Sequence, residues 1–484
     1  MIKINWLKWS IILLITISVV ACEKNDPVPE GNGEEQTVSD EVLMINNWIQ
    51  ANMNDVYLWN NFIPDDLNPK TEEDPRAFFY KMIYESEDKW SWITSDYNSL
   101  MNDLQGTPVS FGYYPSFFSN SAEQVFISIQ YVYEGSPADD AGLKRGDLIY
   151  SINGQTMDID NYSDVYYNDQ SQHTYILAKI EFEQVVPTTD TVEVTARQID
   201  ANPVLHHEVM DMNGTKTGYL VYSEFISGVD DKYLDTLDYV FSSFKDSGVT
   251  ELIVDLRYNP GGDINTAAYL ASAIVPKSNM EAKDILVLYQ FNDEVQSFYE
   301  SNSEYQSRLR KKFVQNDFNL NLSEVHFLTT QRTASASELI ITGLEPYMNV
   351  TVIGEVTVGK YTGAWVIPDL DEPPRHNYAM IPIVLKYANA DGVTEFKNGL
   401  DPDYPIDYNP VVLYGFGDSQ DPMMAKAFEL IGGTAATKKT TQPFSDVNIL
   451  IDKKRLWKEN AFDRIFTEKD VKFYNSNKSE IINE

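Results

Sequence analysis

Two serines, separated by one alanine, stand where an apolar helix begins in the segment TASASELIITGL, residues 333–344. A serine at a helix start can attack a carbonyl carbon if a base takes its proton, because the helix dipole favours negative charge there. The same segment also fits a capping box, in which Ser335 and Glu338 satisfy free N–H groups of the first turn. Taken alone, the segment favours capping, so the choice depends on the rest of the chain.

A candidate base follows in GEVTVGKYTG, where Lys360 lies between small residues after a strand that ends at Gly354. Most loop lysines are solvated cations. A lysine held in a poorly solvated pocket instead favours its neutral form and can remove the proton of a serine hydroxyl. Lys360 is therefore a candidate partner for a serine nucleophile.

The segment DLRYNPGGD, residues 255–263, leaves a buried strand and enters a helix. Consecutive glycines near a helix start, Gly261 and Gly262, can present N–H groups to an oxyanion or a phosphate. The lysine–serine pair of a Walker motif is missing, so nucleotide binding is the weaker hypothesis. A simple tight turn remains the structural alternative.

Short β-rich runs between 107 and 198 surround EGSPADDAGLKRGDLIYSINGQ, which resembles the PDZ domains of bacterial proteases. Such domains add an extended C-terminal peptide to a sheet edge, and loop N–H groups receive the terminal carboxylate. The candidate carboxylate loop is VSFGYY, with Phe111, Gly112 and Tyr113 as peptide-binding residues. An ordinary strand is the alternative interpretation of this stretch.

Together these motifs resemble the C-terminal processing, or tail-specific, serine peptidases over about 40–430, including GYLVYSEF, DLRYNPGG, TASASE, VGK and GLDPDYP. The resemblance implies an α/β fold with a crotonase/ClpP-like α/β peptidase core, a small β-rich PDZ domain and no cofactor. It implies that Ser335 is the nucleophile, that Lys360 is the base and that Ser337 is a helix residue. The N–H groups of Gly261, Gly262 and Ala336 are the oxyanion donors of this hypothesis.

One position departs from that family's pattern. Many members carry a glutamine four residues after the lysine, thought to orient it, and this chain has Ala364 there. Thr362 or a backbone carbonyl is then the candidate partner of Lys360. The departure motivates a second hypothesis, a catalytically impaired PDZ scaffold that binds peptides.

The five histidines show no metal-ligand spacing, so no metal is predicted; they are His173, His206, His207, His326 and His376.

The positioning elements follow from hydrophobic periodicity. Helical spacing predicts an N-terminal helical domain over 39–106, followed by the PDZ domain at 107–198. From 199 to 433 strands alternate with helices, which predicts parallel strands with crossover helices in the peptidase core. The predicted strands include TGYLVYSEF, ELIVDL, ILVLY, VHFLTT and NVTVIG. The tail, 434–484, has a polar linker character and is assigned no structure.

The N-terminus predicts export and anchoring. Residues 1–21 have lysines followed by a short apolar stretch, as in a secretory signal peptide, and Val-Val-Ala-Cys at its end resembles a lipoprotein box. Cys22, the only cysteine, is the predicted lipidation site, with a flexible tether over 22–38; ordinary cleavage that leaves a free thiol is the alternative. The net charge of −36 argues against nucleic acid as a partner.

The sequence therefore predicts a serine endopeptidase that is lipid-anchored to a membrane of the bacterial cell envelope and faces the periplasm or the exterior. Its expected partners are proteins or peptides with free C-termini.

Overall fold

The computed structural model describes residues 38–394, 396–432, 448–450, 464–466, 474–475 and 477. The N-terminal domain begins with the predicted helix, which Ser39 caps by accepting the Val42 N–H at 3.2 Å. Its elements are α1 (Asp40–Val56), a 3₁₀ turn (Asn60–Phe62), α2 (Pro75–Lys81), β1 (Trp92–Thr94) and α3 (Tyr97–Leu104).

The PDZ domain is a small antiparallel sheet with two short helices. Its elements are β2 (Val109–Ser110), β3 (Tyr113–Ser119), β4 (Gln124–Val132), α4 (Pro137–Asp140), β5 (Leu148–Ile152), β6 (Gln155–Asp158), α5 (Tyr162–Tyr166), β7 (Gln172–Glu181), β8 (Gln184–Thr195) and β9 (Arg197–Gln198). A separate hydrophobic cluster, which includes Phe117, Ile127 and Tyr175, fills its interior.

The third part carries the longest run of alternating strands and helices. Its first elements are β10 (Val204–Met212), β11 (Thr215–Tyr222), a 3₁₀ turn (Val229–Asp231), α6 (Lys232–Asp246), β12 (Glu251–Asp255), α7 (Ile264–Ile274), α8 (Lys277–Ala282), β13 (Ile285–Phe291), α9 (Asp293–Ser301), a 3₁₀ turn (Gln306–Leu309) and β14 (Arg310–Lys312). The remaining elements are β15 (Glu324–Thr329), α10 (Ala336–Leu344), β16 (Asn349–Gly354), β17 (Thr362–Trp365), β18 (Ile367–Pro368), β19 (Ala379–Ile381), β20 (Ile383–Ala388), β21 (Tyr404–Pro405) and α11 (Pro422–Ile431).

The main sheet has the order β10-β11-β12-β15-β16-β21, and all its pairs except β10–β11 are parallel. Four of the predicted strands, β11, β12, β15 and β16, lie in it as expected. The segment ILVLY is a strand as predicted, but its expected parallel pairing is wrong. This segment is β13, which pairs antiparallel with β20 in a second sheet, because β15 already occupies the edge of β12.

One hydrophobic cluster joins the N-terminal domain to the core, since it contains α1 residues such as Ile49 and α7 and α10 residues such as Leu270 and Ile340. All nine residues of α10 are buried, so this helix lies inside the molecule and is not a surface helix. β1 pairs antiparallel with β19, which fixes the end of the N-terminal domain to the core.

The described part of the tail forms two short strands, β22 (Asn448–Leu450) and β23 (Arg464–Phe466), for which the sequence had suggested nothing. β22 pairs with β3 of the PDZ domain, and β23 pairs with β17 of the core. Cys22, the signal peptide and nearly all of the tether lie outside the described residues. None of the described helices combines the length and the apolar character needed to span a membrane.

Candidate active site

The candidate site lies at the carboxyl edge of the parallel sheet, where three loops meet. The glycine loop (256–263) follows β12, the nucleophile loop (330–335) follows β15 and the lysine loop (355–360) follows β16. In open α/β sheets, ligands bind outside the carboxyl ends of the strands. Because β12, β15 and β16 are neighbours, the three sequence motifs lie side by side.

Hydrogen bonds fix the nucleophile loop between the other two. Thr333 donates its hydroxyl to the Leu256 carbonyl at 2.8 Å, and the Ala334 N–H donates to the Asn259 carbonyl at 3.2 Å. On the other side, the Val358 N–H donates to the Thr333 carbonyl at 3.0 Å. The loop therefore has little freedom to move relative to either neighbour.

Ser335 is buried, with 2% of its surface exposed, and has a φ of 51° and a ψ of −111°. A positive φ is costly for a residue other than glycine and persists only where the surroundings enforce it, often at functional sites. Its N–H donates to Glu338 Oε2 at 2.8 Å, which is one half of the predicted capping box. Ser337, by contrast, lies within α10 and donates its hydroxyl to the Asn259 carbonyl at 3.2 Å.

Lys360 is also buried, with 1% exposure, and its Nζ lies 5.3 Å from the centroid of the Trp90 ring. Asp88 holds the Trp90 backbone, since its Oδ1 accepts the Trp90 N–H at 2.9 Å while Tyr57 donates to its Oδ2 at 2.8 Å. Burial disfavours the charged amine, whereas the face of an aromatic ring favours it. The N-terminal domain thus supplies part of the environment of the lysine.

One carboxylate holds the backbone at both residues. Glu338 Oε2 accepts the N–H groups of Ser335 and Lys360, each at 2.8 Å. Its Oε1 accepts the Gly359 N–H at 2.6 Å and the Thr357 hydroxyl. Burial raises the pKa of Glu338 to about 7, although these four hydrogen bonds oppose the shift.

Tyr387 provides a second link between the same two residues. Its hydroxyl lies 3.0 Å from the Ser335 carbonyl and 2.6 Å from the Lys360 carbonyl, as a donor to both. Sequence reasoning missed Tyr387 and the role of Trp90, because neither stands in a recognisable motif. Glu338 was identified there only as a capping residue.

Two positions bear on how the Lys360 amine is oriented: Ala364, which stands where the family has a glutamine, and Thr362, a suggested partner. Ala364 is buried at 1% exposure within the main hydrophobic cluster, where β17 pairs with β20. The Thr362 hydroxyl is buried and has no hydrogen-bond partner among the described residues, so it does not orient the amine in this conformation. Glu338 and Tyr387 bind the backbone of Lys360, and the Trp90 ring lies near its amine.

The predicted oxyanion donors differ in their surroundings. The Gly261 N–H donates to Asn259 Oδ1 at 2.9 Å, an Asx turn that occupies this donor in the present conformation. In this conformation, the N–H groups of Gly262 and Ala336 are the remaining candidates among the three predicted oxyanion donors. Gly262 has a φ of 132°, and a Cβ there would lie 2.3 Å from the Phe225 carbonyl oxygen, so only glycine fits.

A buried ion cluster anchors the base of the glycine loop. Arg257 donates to Asp255 through Nη2 at 2.6 Å and to Asp421 through Nη1 at 2.6 Å. The two carboxylates keep the pKa of Arg257 well above its ordinary value, although burial opposes the shift. Its carbonyl accepts the Thr330 hydroxyl at 2.6 Å, which links the cluster to the nucleophile loop.

The predicted carboxylate loop precedes β3. Gly112 has a φ of 89°, and a Cβ there would lie 2.2 Å from Ser136 Cβ. Its N–H donates to Ser110 Oγ at 3.0 Å, so this donor is occupied in the present conformation. Phe111 stacks on His173 with centroids 4.3 Å apart, and Tyr113 is buried in the PDZ interior.

The PDZ domain also contacts the nucleophile loop directly. Arg332 donates through Nη2 to Ser116 Oγ of β3 at 3.1 Å, and its guanidinium lies 5.6 Å from the Tyr114 ring centroid. A cavity of about 210 Å³ opens beside this contact. Its lining includes Tyr114, Tyr131, Tyr133, Tyr166, Tyr258 and Pro260. The cavity therefore extends from the PDZ strands to the glycine loop.

Within the part of the chain that the structure describes, one group of three side chains has ligand atoms within 4.8 Å of one another, namely Glu251, Glu324 and His326. Glu251 and Glu324 begin β12 and β15, at the sheet edge opposite the three loops. The two glutamates are half-buried and His326 is buried. The expectation that the chemistry needs no metal stays a prediction.

Comparison with family models matches residues 216–406 to peptidase family S41, residues 44–92 to the N-terminal domain of S41 peptidases and residues 128–177 to a PDZ domain. These three segments coincide with the core, the N-terminal domain and the PDZ sheet described above. The predicted fold class, an α/β peptidase core with a PDZ domain and an N-terminal helical segment, is confirmed.

The chain is also similar to individual carboxyl-terminal processing proteases. A carboxyl-terminal-processing protease of Picosynechococcus is 24% identical over 308 residues, which cover 64% of this chain and 67% of that protein. The carboxy-terminal processing protease CtpA of Bacillus subtilis is 25% identical over 271 residues, 56% of this chain and 51% of that protein. The chain thus spans about half to two thirds of the length of these relatives.

A crystal structure assigned to the S41 proteases, from Bacteroides fragilis, superimposes with a TM-score of 0.65 at 28% identity and covers 79% of this chain and 96% of the other. These matches agree with the order of the sequence motifs and with the three loops that meet at one sheet edge. Over the matched residues the chain is similar to the serine-type peptidases of family S41, and residues 128–177 match a PDZ domain.

Proposed function

We propose that the chain is a cell-envelope serine endopeptidase that captures C-terminal tails through its PDZ domain and cleaves with a Ser335–Lys360 dyad. The observation that carries the dyad is the Glu338 carboxylate, which accepts the backbone N–H groups of both residues at 2.8 Å. Two buried polar side chains from different loops are thereby held at one sheet edge. A capping role alone does not account for the two hydrogen bonds to the lysine loop.

In the proposed reaction the neutral Lys360 amine takes the proton of the Ser335 hydroxyl as the oxygen attacks the scissile carbonyl carbon. The oxyanion accepts hydrogen bonds from the N–H groups of Gly262 and Ala336. Lys360 then gives its proton to the leaving amine as the C–N bond breaks. Water, deprotonated by the same amine, hydrolyses the acyl-enzyme and restores Ser335.

Tail capture is supported by the PDZ domain and by the aromatic cavity beside β3. A tail added to the β3 edge with its carboxylate near Phe111–Tyr113 lies next to Tyr114 and Tyr166, which also line the cavity. Tyr258 and Pro260 of the glycine loop also line this cavity. A captured chain therefore has a continuous surface between the two sites.

The location in the cell envelope rests on the sequence of residues 1–38 alone. Lipidation of Cys22 after removal of the signal peptide gives a membrane-anchored protein whose acidic tether precedes the N-terminal domain. Proteins with free C-termini in the periplasm or outside the cell are then its substrates.

The test uses a fluorophosphonate probe, which labels activated serines, on wild type, Ser335→Ala and Ser337→Ala. We expect labelling of wild type and Ser337→Ala, and none of Ser335→Ala, with the labelled peptide of wild type mapped by mass spectrometry. A wild type without labelling favours the impaired scaffold. Labelling that survives Ser335→Ala contradicts the assignment of the nucleophile.

A second experiment tests tail capture. Peptides with apolar, free C-termini are compared with the same peptides as C-terminal amides, which lack the charge that loop N–H groups receive. We expect the free acids to be cleaved faster at low concentration. Equal rates contradict carboxylate capture and leave the dyad intact.

A further inference from the structure

The edge of β3 that a captured tail needs is already covered by the chain itself. β22 pairs antiparallel with β3, with Asn448 opposite Ser119, Ile449 opposite Phe118 and Leu450 opposite Phe117. On its other edge β3 pairs with β4. β22 is therefore the end strand of the PDZ sheet, although it comes from the C-terminal part of the chain.

The direction of β22 matches that of a bound tail. Residue numbers rise along β22 while they fall along β3, so the segment runs toward the loop at Gly112. A peptide that adds to this edge with its carboxylate at that loop must run the same way. β22 thus occupies the position and the orientation of a substrate strand.

One of the three side chains of β22 is partly buried, while Asn448 and Ile449 are exposed. Leu450 packs against the PDZ cluster, whose Phe117 ring lies 5.3 Å from Tyr162 and 5.1 Å from Tyr166 of α5. Ile449 is 47% exposed. Only one partly buried apolar side chain holds this strand of three residues, so its removal from the edge costs little free energy.

The tail is also tied to the core beyond β22. Tyr474 is buried at 1% exposure, donates its hydroxyl to Asp55 at 3.1 Å and has its ring 4.9 Å from that of Phe298. Because the tail is covalently attached upstream at α11 and packed downstream at Tyr474, β22 stays near β3 even after it leaves the edge. Such tethering gives β22 a high effective concentration at the edge of β3.

We propose that residues 448–450 are an intramolecular competitor that occupies the tail-binding edge of the PDZ domain until a substrate tail displaces it. This inference rests on the proposed function, because competition requires that the same edge captures substrates. If the edge is covered for about nine tenths of the time, the apparent Kd for a free tail rises about tenfold. The device therefore sets a threshold of affinity that a substrate tail must exceed.

The first test weakens β22 without changing the PDZ domain. In a Ser335→Ala background, which removes cleavage, Leu450→Asp is compared with Ile449→Asp, whose side chain is exposed. We expect Leu450→Asp to bind a fluorescent peptide with an apolar free C-terminus about tenfold tighter, and Ile449→Asp to stay within about twofold of the parent. Equal affinities in all three proteins overturn the inference.

The second test locks β22 in place. Ser119→Cys with Asn448→Cys puts a disulfide across directly opposed residues, in a chain that also carries Cys22→Ser. The pair Ser119→Cys with Ile449→Cys is the control, since its residues are not opposed. We expect the opposed pair to oxidise faster, the oxidised protein to lose peptide binding and reductant to restore it.

The outcomes separate the inference from the proposed function. If the opposed pair oxidises no faster than the control pair, β22 does not dock in solution and the inference fails whatever the PDZ binds. If it oxidises faster but no form binds peptides, tail capture by this edge is wrong. If oxidised and reduced forms bind equally, the tail binds elsewhere and competition is excluded.

Discussion

Glu338 is the residue through which the two proposed catalytic residues are positioned, since all four groups around its carboxylate are donors. These donors favour the ionised carboxylate, whereas burial disfavours it more strongly and raises its pKa to about 7. Glu338→Gln places an amide NH₂ against two of the donors, which costs about 1–3 kcal/mol for each unsatisfied pair. We expect at least a tenfold loss of kcat/KM, about 1.4 kcal/mol, from the loosened backbone.

The pH dependence gives the specific readout for Glu338. Its folded pKa, about 7, lies above the ordinary value of 4.5, so its protonation favours the folded state. This stabilising contribution is complete below pH 4.5 and is lost as the pH rises through about 7. In urea unfolding, the contribution of Glu338 should lower the free energy of unfolding of wild type as the pH rises from 4.5 through about 7. Glu338→Gln should lack this decrease. A Gln variant with the wild-type stability profile contradicts the assignment.

Substitutions of Lys360 test the proposed proton transfer from Ser335. A protonated amine cannot accept the serine proton, so activity should rise with pH, and Lys360→Arg should be nearly as damaging as Lys360→Ala because a guanidinium keeps its proton. Rates are compared after circular dichroism has shown that both variants are folded. An arginine variant with most of the wild-type activity requires another base.

At the scale of elements, the contact between Arg332 and Ser116 joins the nucleophile loop to β3, the strand proposed to bind tails. We expect Arg332→Met and Ser116→Ala each to lower kcat/KM about fivefold for substrates with free tails, and less than about twofold for short amides. The double variant should be no worse than Arg332→Met, because both changes remove one interaction. Additive losses show that the two residues act independently.

The same elements show what the sequence could predict. The parallel strands β11, β12, β15 and β16 were predictable from local periodicity, and short motifs identified Ser335 and Lys360 as candidates. Tyr387 and Trp90 were not, since they approach the lysine from β20 and from the N-terminal domain. The engaged N–H of Gly261 was a missed local signal, because asparagine two residues earlier favours an Asx turn.

At the scale of the whole molecule, the anchor remains a prediction of the first residues. If Cys22 is lipidated, wild type should partition into a detergent phase, while Cys22→Ala should remain in the aqueous phase or keep its signal peptide. The measurement is phase partitioning with intact-mass analysis of both proteins. Equal partitioning of the two proteins contradicts the anchor.

The position of Trp90 over the lysine has a consequence for the newly made chain. Lys360 receives its surroundings from both ends of the sequence, from Trp90 before the PDZ domain and from Tyr387 after the lysine loop. A chain synthesised only as far as β19 has the ring but not the hydroxyl bridge. We therefore expect the proposed dyad to be inactive until β20 has placed Tyr387.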